Sequence, residues 1–134
     1  MTYLLDTNIC IYILNQRPQK VIQRFRRFDP GEIRVSAITI SELQYGISKS
    51  KYPQQNQNRL DDFLVPFELL AYDAKAALMY GEIRSTLEQE GLPIGPMDLL
   101  IAAQAIAHHL ILVTNNTKEF ERIDNLSIEN WAVG

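Results

Sequence analysis

The chain reads as an α/β protein built on a mostly parallel sheet. Short apolar runs recur along its 134 residues, helical patterns separate them, and a polar residue closes most of the runs. Strands that alternate with helices form parallel sheets, because a parallel connection has to cross over the sheet. A length of 134 residues suits one domain, residues 1–134, with an ordinary core.

The elements follow in order. Tyr3-Leu4-Leu5 is a buried strand stopped by Asp6. Ile9, Ile13 and Leu14 fit a first helix, and Pro18 suits the start of a second, expected to reach about Phe28 before the Pro30-Gly31 turn. Ile33 to Val35 forms the next strand. Thr39-Ile40-Ser41-Glu42 has capping-box spacing and predicts a helix from Ile40 to about Gly46 or Ser48. Gln54 to Asn58 is a loop or the exposed start of a helix. Phe67 to Ala71 is a third strand. Asp73 caps a long helix with Ala76, Ala77, Tyr80, Ile83 and Leu87 as apolar or aromatic positions, ending near Gly91. Pro96 opens another helix, and Leu99 to Ala107 is apolar on nearly every face, so it is buried. Leu110 to Val113 is an uninterrupted apolar strand of the kind covered on both sides. A last strand near Ser127 to Glu129 leads to Trp131, a packing residue.

Composition narrows the function. A net charge of -3 argues against a protein that coats nucleic acid, though acids that hold a metal would contribute to that total. One cysteine, Cys10, excludes an internal disulfide and reads as a small apolar residue of the first helix. Met1 to Asp6 is charged too early for a signal peptide, and Leu99 to Val113 carries Gln104, His108 and His109, so a cytoplasmic protein is expected. His108 and His109 follow a helix and suit its dipole; local spacing supplies neither with a catalytic partner. Arg24, Arg26, Arg27, Lys49 and Lys51 are surface charges and the candidates for phosphate contacts.

The chemistry lies in four acids. Asp6, Glu42, Asp98 and Glu119 each stand where a strand or loop passes into a helix, and a parallel sheet puts its crevice beyond the carboxyl ends of its strands. Each has an ordinary structural reading: an N-cap for Asp6, the capping-box partner of Thr39 for Glu42, a first-turn acid for Asp98, an exposed turn for Glu119. Together they say more. Converging carboxylates repel by roughly 4 kcal/mol per pair at 4 Å and an effective dielectric near 20. A divalent cation removes that cost, and hard oxygen ligands suit Mg²⁺ or Mn²⁺. The expectation is a metal-dependent phosphodiester hydrolase. Asn116 is the best candidate for orienting waters or the fourth carboxylate; Thr114, Asn115, Asn8 and Ser41 are read either so or as turn and cap residues.

Four segments occur in a telling order: Leu5-Asp6-Thr7-Asn8; Ile38-Thr39-Ile40-Ser41-Glu42-Leu43 with Gly46; Gly95-Pro96-Met97-Asp98-Leu99-Leu100-Ile101-Ala102; and Val113-Thr114-Asn115-Asn116-Thr117-Lys118-Glu119-Phe120. They resemble the PIN-domain ribonucleases, and within them the VapC toxins of bacterial toxin–antitoxin pairs, over essentially the whole chain. The resemblance implies a three-layer α/β/α fold and maps the family's invariant acids onto Asp6, Glu42 and Asp98. Its fourth acid is commonly Asp; Glu119, one methylene longer, stands there. It also implies a VapB-type antitoxin whose tail occupies the active-site groove, a homodimer, and RNA, for the nearest relatives transfer RNA, as substrate.

The expected reaction is endoribonucleolytic hydrolysis with Mg²⁺ held by Asp6 and Asp98 and completed by Glu42 and Glu119, directly or through waters. Two other readings compete. A phosphoacceptor receiver domain needs paired acids after its first strand, whereas Thr7 follows Asp6, and Asp61-Asp62 read as helical. A non-catalytic PIN-fold protein that binds RNA or a partner would not need all four acids.

Overall fold

Why the sheet is parallel is visible in its central strand. In a computed structural model that describes residues 1–133, β1 (Tyr3–Leu5) lies between β2 (Ile33–Ser36) and β4 (Ile111–Val113), and all three of its residues are buried. An apolar triplet with no exposed face requires cover on both sides. The outer strands are β3 (Glu68–Leu70) beside β2 and β5 (Ile128–Glu129) beside β4, giving the order β3-β2-β1-β4-β5 with every pairing parallel. The sheet is thus wholly rather than mostly parallel. Leu5 pairs with Val35 on one side and Val113 on the other, so the three central strands end level.

Alternation along β1 builds two cores. Tyr3 and Leu5 face one layer with Ile9, Val21, Ile33, Val35 and Trp131; Leu4 faces the other with Leu87, Leu99, Ala102, Leu112 and Phe120. The first layer holds α1 (Thr7–Leu14), α2 (Gln19–Phe25), α3 (Ala37–Ser48) and α4 (Pro53–Leu64). The second holds α5 (Ala74–Gln89) packed on α6 (Pro96–Ala107), with the short α7 (Thr117–Phe120). Cys10 is fully buried in the first, and burial pushes its thiol pKa far up, as an inert packing residue requires.

Caps explain most boundaries. Asp6 accepts the Ile9 N–H at 2.9 Å and starts α1; Asp73 accepts the Ala76 N–H at 3.0 Å and starts α5, which ends before Gly91 at φ +70°. The capping box at Thr39 does not form. Ser36 caps α3 instead, its hydroxyl accepting the Ile38 N–H at 2.9 Å, so the helix begins three residues earlier and Glu42 lies in its second turn. Spacing permitted both starts; the end of β2 at Ser36 selected one. The second helix stops at Phe25, short of Phe28, because Phe28 is drawn into an aromatic stack on Trp131, 5.0 Å between ring centroids. The glutamine-rich segment is the start of α4, whose Leu60 is buried while Asp61 and Asp62 face out.

Trp131 is the largest fully buried side chain, wedged beside Tyr3 and Phe28 with its indole N–H donated to Glu129 at 3.1 Å. Trp131→Ala is expected to cost about 3–5 kcal/mol, the usual range for emptying such a site, read as a lower urea midpoint at unchanged slope.

Candidate active site

Three strands that end level deliver three polar residues to one edge. Asp6 follows β1, Ser36 ends β2 and Thr114 follows β4. Asp6 is held from several directions. Its backbone N–H bonds Val113 O at 3.0 Å, its carboxylate takes the Ile9 N–H, and the nearby Thr114 hydroxyl favours its charged form. Thr114 in turn accepts the Asn116 N–H at 2.9 Å, which shapes the turn into α7.

The other acids arrive from helices. Glu42 on α3 accepts a 2.7 Å hydrogen bond from the Thr7 hydroxyl, which also lies 3.1 Å from the hydroxyl of buried Thr39. Asp98 sits in the first turn of α6, and Glu119 in α7. Asn116 Nδ2 donates to Glu119 Oε2 at 3.0 Å, and the Asn116 side chain favours the charged form of nearby Asp98. Glu119 thus stands near enough to Asp98 for its charge to raise the Asp98 pKa.

Electrostatics mark the cluster. Asp6 is pushed up to about 6, first by burial, then by Asp98 and Glu42; the Thr114 and Ile9 hydrogen bonds act in the opposite sense. Asp98 is likewise pushed up to about 6, first by burial and then by the charges of Glu119 and Glu42. Groups that lower both are neutral, and none of the four acids enters an ion pair among the described residues. Nor do any three His, Cys, Asp or Glu side chains there close into a ready metal cage. The acids are near enough to repel yet too far apart to wrap a bare ion. That spacing fits Mg²⁺, which keeps several of its waters and needs few protein oxygens. Hard, anionic, uncompensated oxygen donors are the chemistry a dication neutralises, so the residues present fit such a group.

The residues around the acids differ in part from expectation. The Asn116 amide bonds Glu119, the fourth carboxylate. Ser41 does not point at the site; its hydroxyl bonds Ala37 O on its own helix at 3.0 Å. Asn8 is exposed. Thr7 and Thr39 hold Glu42 instead, 35 and 3 residues away in sequence, and only the first is out of reach of a local spacing rule. His108 does find a carboxylate, Asp73 Oδ2 at 2.9 Å, supplied by the fold rather than by nearby sequence. The Asp73 pKa is lowered, first by the Ala76 N–H and then by His108. This pair lies at the opposite end of α6 from Asp98, about 15 Å away along the axis at 1.5 Å per residue. Beside Thr7 and Glu42 a cleft of about 260 Å³ opens, with Ile11, Leu43, Ile47 and Leu60 in its walls and Asn56 and Arg59 at its polar side.

A family model, the PIN domain, matches residues 3–126. The chain belongs to the PIN-domain family. Within it the chain falls in the VapC branch. It is 51% identical over 132 residues to ribonuclease VapC2 of Rickettsia felis, covering 98% of each chain. It is 42% identical to the tRNA(fMet)-specific endonuclease VapC of Shigella flexneri, over 98% of this chain and 99% of that one. Among solved structures, VapBC2 of Rickettsia felis bound to a DNA fragment from its promoter superposes with a TM-score of 0.91 at 50% identity, covering 98% of this chain and 99% of that chain. DNA-bound VapBC from Salmonella typhimurium gives a TM-score of 0.91 at 40% identity, with 98% of both covered. For this PIN-domain chain, no helix among the described residues is long and apolar enough to cross a membrane.

Proposed function

We propose that this PIN-domain protein is a metal-dependent endoribonuclease, the toxin of a type II toxin–antitoxin pair. The observation that carries the reading is the uncompensated acid cluster, Asp6, Glu42, Asp98 and Glu119, at the carboxyl edge of the sheet in a chain of the VapC branch. Asp6 and Asp98 would hold Mg²⁺, or Mn²⁺ in its place, with Glu42 and Glu119 completing the site directly or through waters. When bound, the ion neutralises charge on the phosphodiester and lowers the pKa of a water, the nucleophile of hydrolysis.

The chain's own groups do the positioning. Thr7 holds Glu42, and Asn116 holds Glu119. Burial of Asp6 by Leu5, Ile9 and Val113 lowers the local dielectric, which strengthens its hold on a cation. Water attack yields 5′-phosphate and 3′-hydroxyl ends. The pair His108–Asp73 is too remote to activate a ribose 2′-hydroxyl.

Transfer RNA is the substrate we assign, on the strength of the specificity carried in the name of the Shigella flexneri relative. A VapB-type antitoxin is the assigned partner, since the matched structures from Rickettsia felis and Salmonella typhimurium are VapBC assemblies on DNA. Its tail would lie along the active-site groove, and the toxin would form a homodimer in the complex. Exposed Arg26 and Arg27 are candidates for the RNA backbone, while Arg24 is already engaged by Glu129 at 3.3 Å.

Purified protein incubated with total cellular RNA tests the reading. Cleavage is expected with Mg²⁺ or Mn²⁺, none with EDTA, and recovery on adding the ion back, with fragment ends mapped by ligation. Cleavage that persists in EDTA contradicts it. Folded protein that cleaves nothing under any condition favours the alternative, a non-catalytic PIN-fold RNA-binding protein.

A further inference from the structure

Gln104 is a polar side chain that the site chemistry leaves unused, and it is completely buried in α6 among Ala102, Ala103 and Ala105. An amide in such a place costs several kcal/mol unless its hydrogen bonds are made. They are made with two other parts of the fold. Its Nε2 donates to Leu70 O and to Ala71 O, 3.3 Å each, at the end of β3. Its Oε1 accepts the hydroxyl hydrogen of Ser36, the N-cap of α3 and itself fully buried.

The placement is suggestive. Ser36 precedes Glu42 by six residues on α3, and Gln104 follows Asp98 by six on α6. The two helices are therefore coupled at two levels: by a neutral hydrogen bond at Ser36–Gln104, and by repulsion between Glu42 and Asp98. Six helical residues span about 9 Å, so a tilt of about 6° at the clamp moves a carboxylate by roughly 1 Å. Displacements of that size alter ligation and catalysis out of proportion to their effect on stability.

We propose that Gln104 is a positioning residue: by clamping Ser36 to the end of β3 it sets the separation of Glu42 and Asp98, and through it the affinity for the divalent cation. This rests on the nuclease reading above. The side chain has the right chemistry for the task. A carboxylate at 104 would face two carbonyl oxygens and need a proton, and an apolar group would strand the Ser36 hydroxyl and both carbonyls.

The test is Mn²⁺ binding by calorimetry, beside steady-state cleavage. Gln104→Met, close in volume, is expected to raise the Mn²⁺ dissociation constant about tenfold and to lower kcat with KM for RNA unchanged. Ile22→Ala, in the core on the other face of the sheet, is the stability control and should bind Mn²⁺ as the unaltered protein does. Should Gln104→Met fail to fold, Ser36→Gly serves, because glycine keeps most of the capping preference while removing the hydroxyl. Mn²⁺ affinity unchanged in the folded variant, or lost equally in the Ile22→Ala control, overturns the proposal. Unaltered protein that binds no Mn²⁺ overturns the metal reading first and this one with it.

Discussion

Asp98→Asn is expected to lower kcat/KM for RNA by roughly 10³-fold or more, since on the proposed reading several kcal/mol of charge stabilisation depend on the ion it would hold and each 1.36 kcal/mol is a factor of ten. The fold should persist. Asp98 lies in the first turn of α6 with Gly95 as N-cap, and its side chain caps nothing, so an amide there leaves the helix start intact. Removing one negative charge also relieves the repulsion from Glu119 and Glu42. The metal-free variant should therefore melt slightly above the unaltered protein while binding Mn²⁺ more weakly. Opposite movements of stability and activity separate a ligand from a structural acid, which on removal would lower both. Cleavage at an undiminished rate would remove Asp98 from the site.

Metal-free stability should fall as pH rises from about 4 through about 6, and a divalent cation should restore it. Asp6 has a folded-state pKa of about 6, against about 3.9 for an unfolded aspartate. A raised carboxylate favours the folded state most where it is protonated in the fold, so its contribution is complete below pH 4. It declines as pH climbs through 6, and by pH 7.5 has been lost. For Asp6, nearly inaccessible to solvent, that difference amounts to about 2–3 kcal/mol. Asp98 acts in the same direction. Asp6→Asn should abolish this pH dependence in large part and raise the metal-free melting temperature at pH 7.5. Asparagine caps a helix as well as aspartate does, so the Ile9 N–H keeps its acceptor. Melting curves in EDTA from pH 4.5 to 7.5, repeated with Mn²⁺, measure both effects. A flat metal-free profile, or no recovery with Mn²⁺ at pH 7.5, would mean that the acids do not strain the fold.

Much of the fold was legible because strands and helices announce themselves locally. Tyr3-Leu4-Leu5 and Leu110 to Val113 are apolar without interruption, Ile33 to Val35 is broken only by Arg34, and each segment holds a largely buried strand. Asp73, Gly91 and Pro96 mark helix ends by their own conformational preferences, and the helices begin or stop there. At one helix start the local signal misled. Thr39 and Ser36 both precede helical residues, but the hydrogen bond from Ile38 and the end of β2 lie at Ser36. Phe28 looked helical because nothing nearby shows that Trp131, more than a hundred residues later, stacks on it.

The acids were readable in kind and not in arrangement. Asp6, Glu42, Asp98 and Glu119 stood out because charge at strand-to-helix transitions is informative in a parallel α/β chain, and the sheet order then brought their elements to one edge. That Thr7 rather than Ser41 holds Glu42, that Asn116 holds Glu119, and that Gln104 ties α6 to α3 came only with the tertiary structure. Residue identity fixes which bonds a side chain is able to make, and periodicity fixes which face it shares with its neighbours. Which partner it meets depends on segments 30 to 70 residues distant, and their approach is set by the packing of both cores against the sheet, which no local pattern encodes.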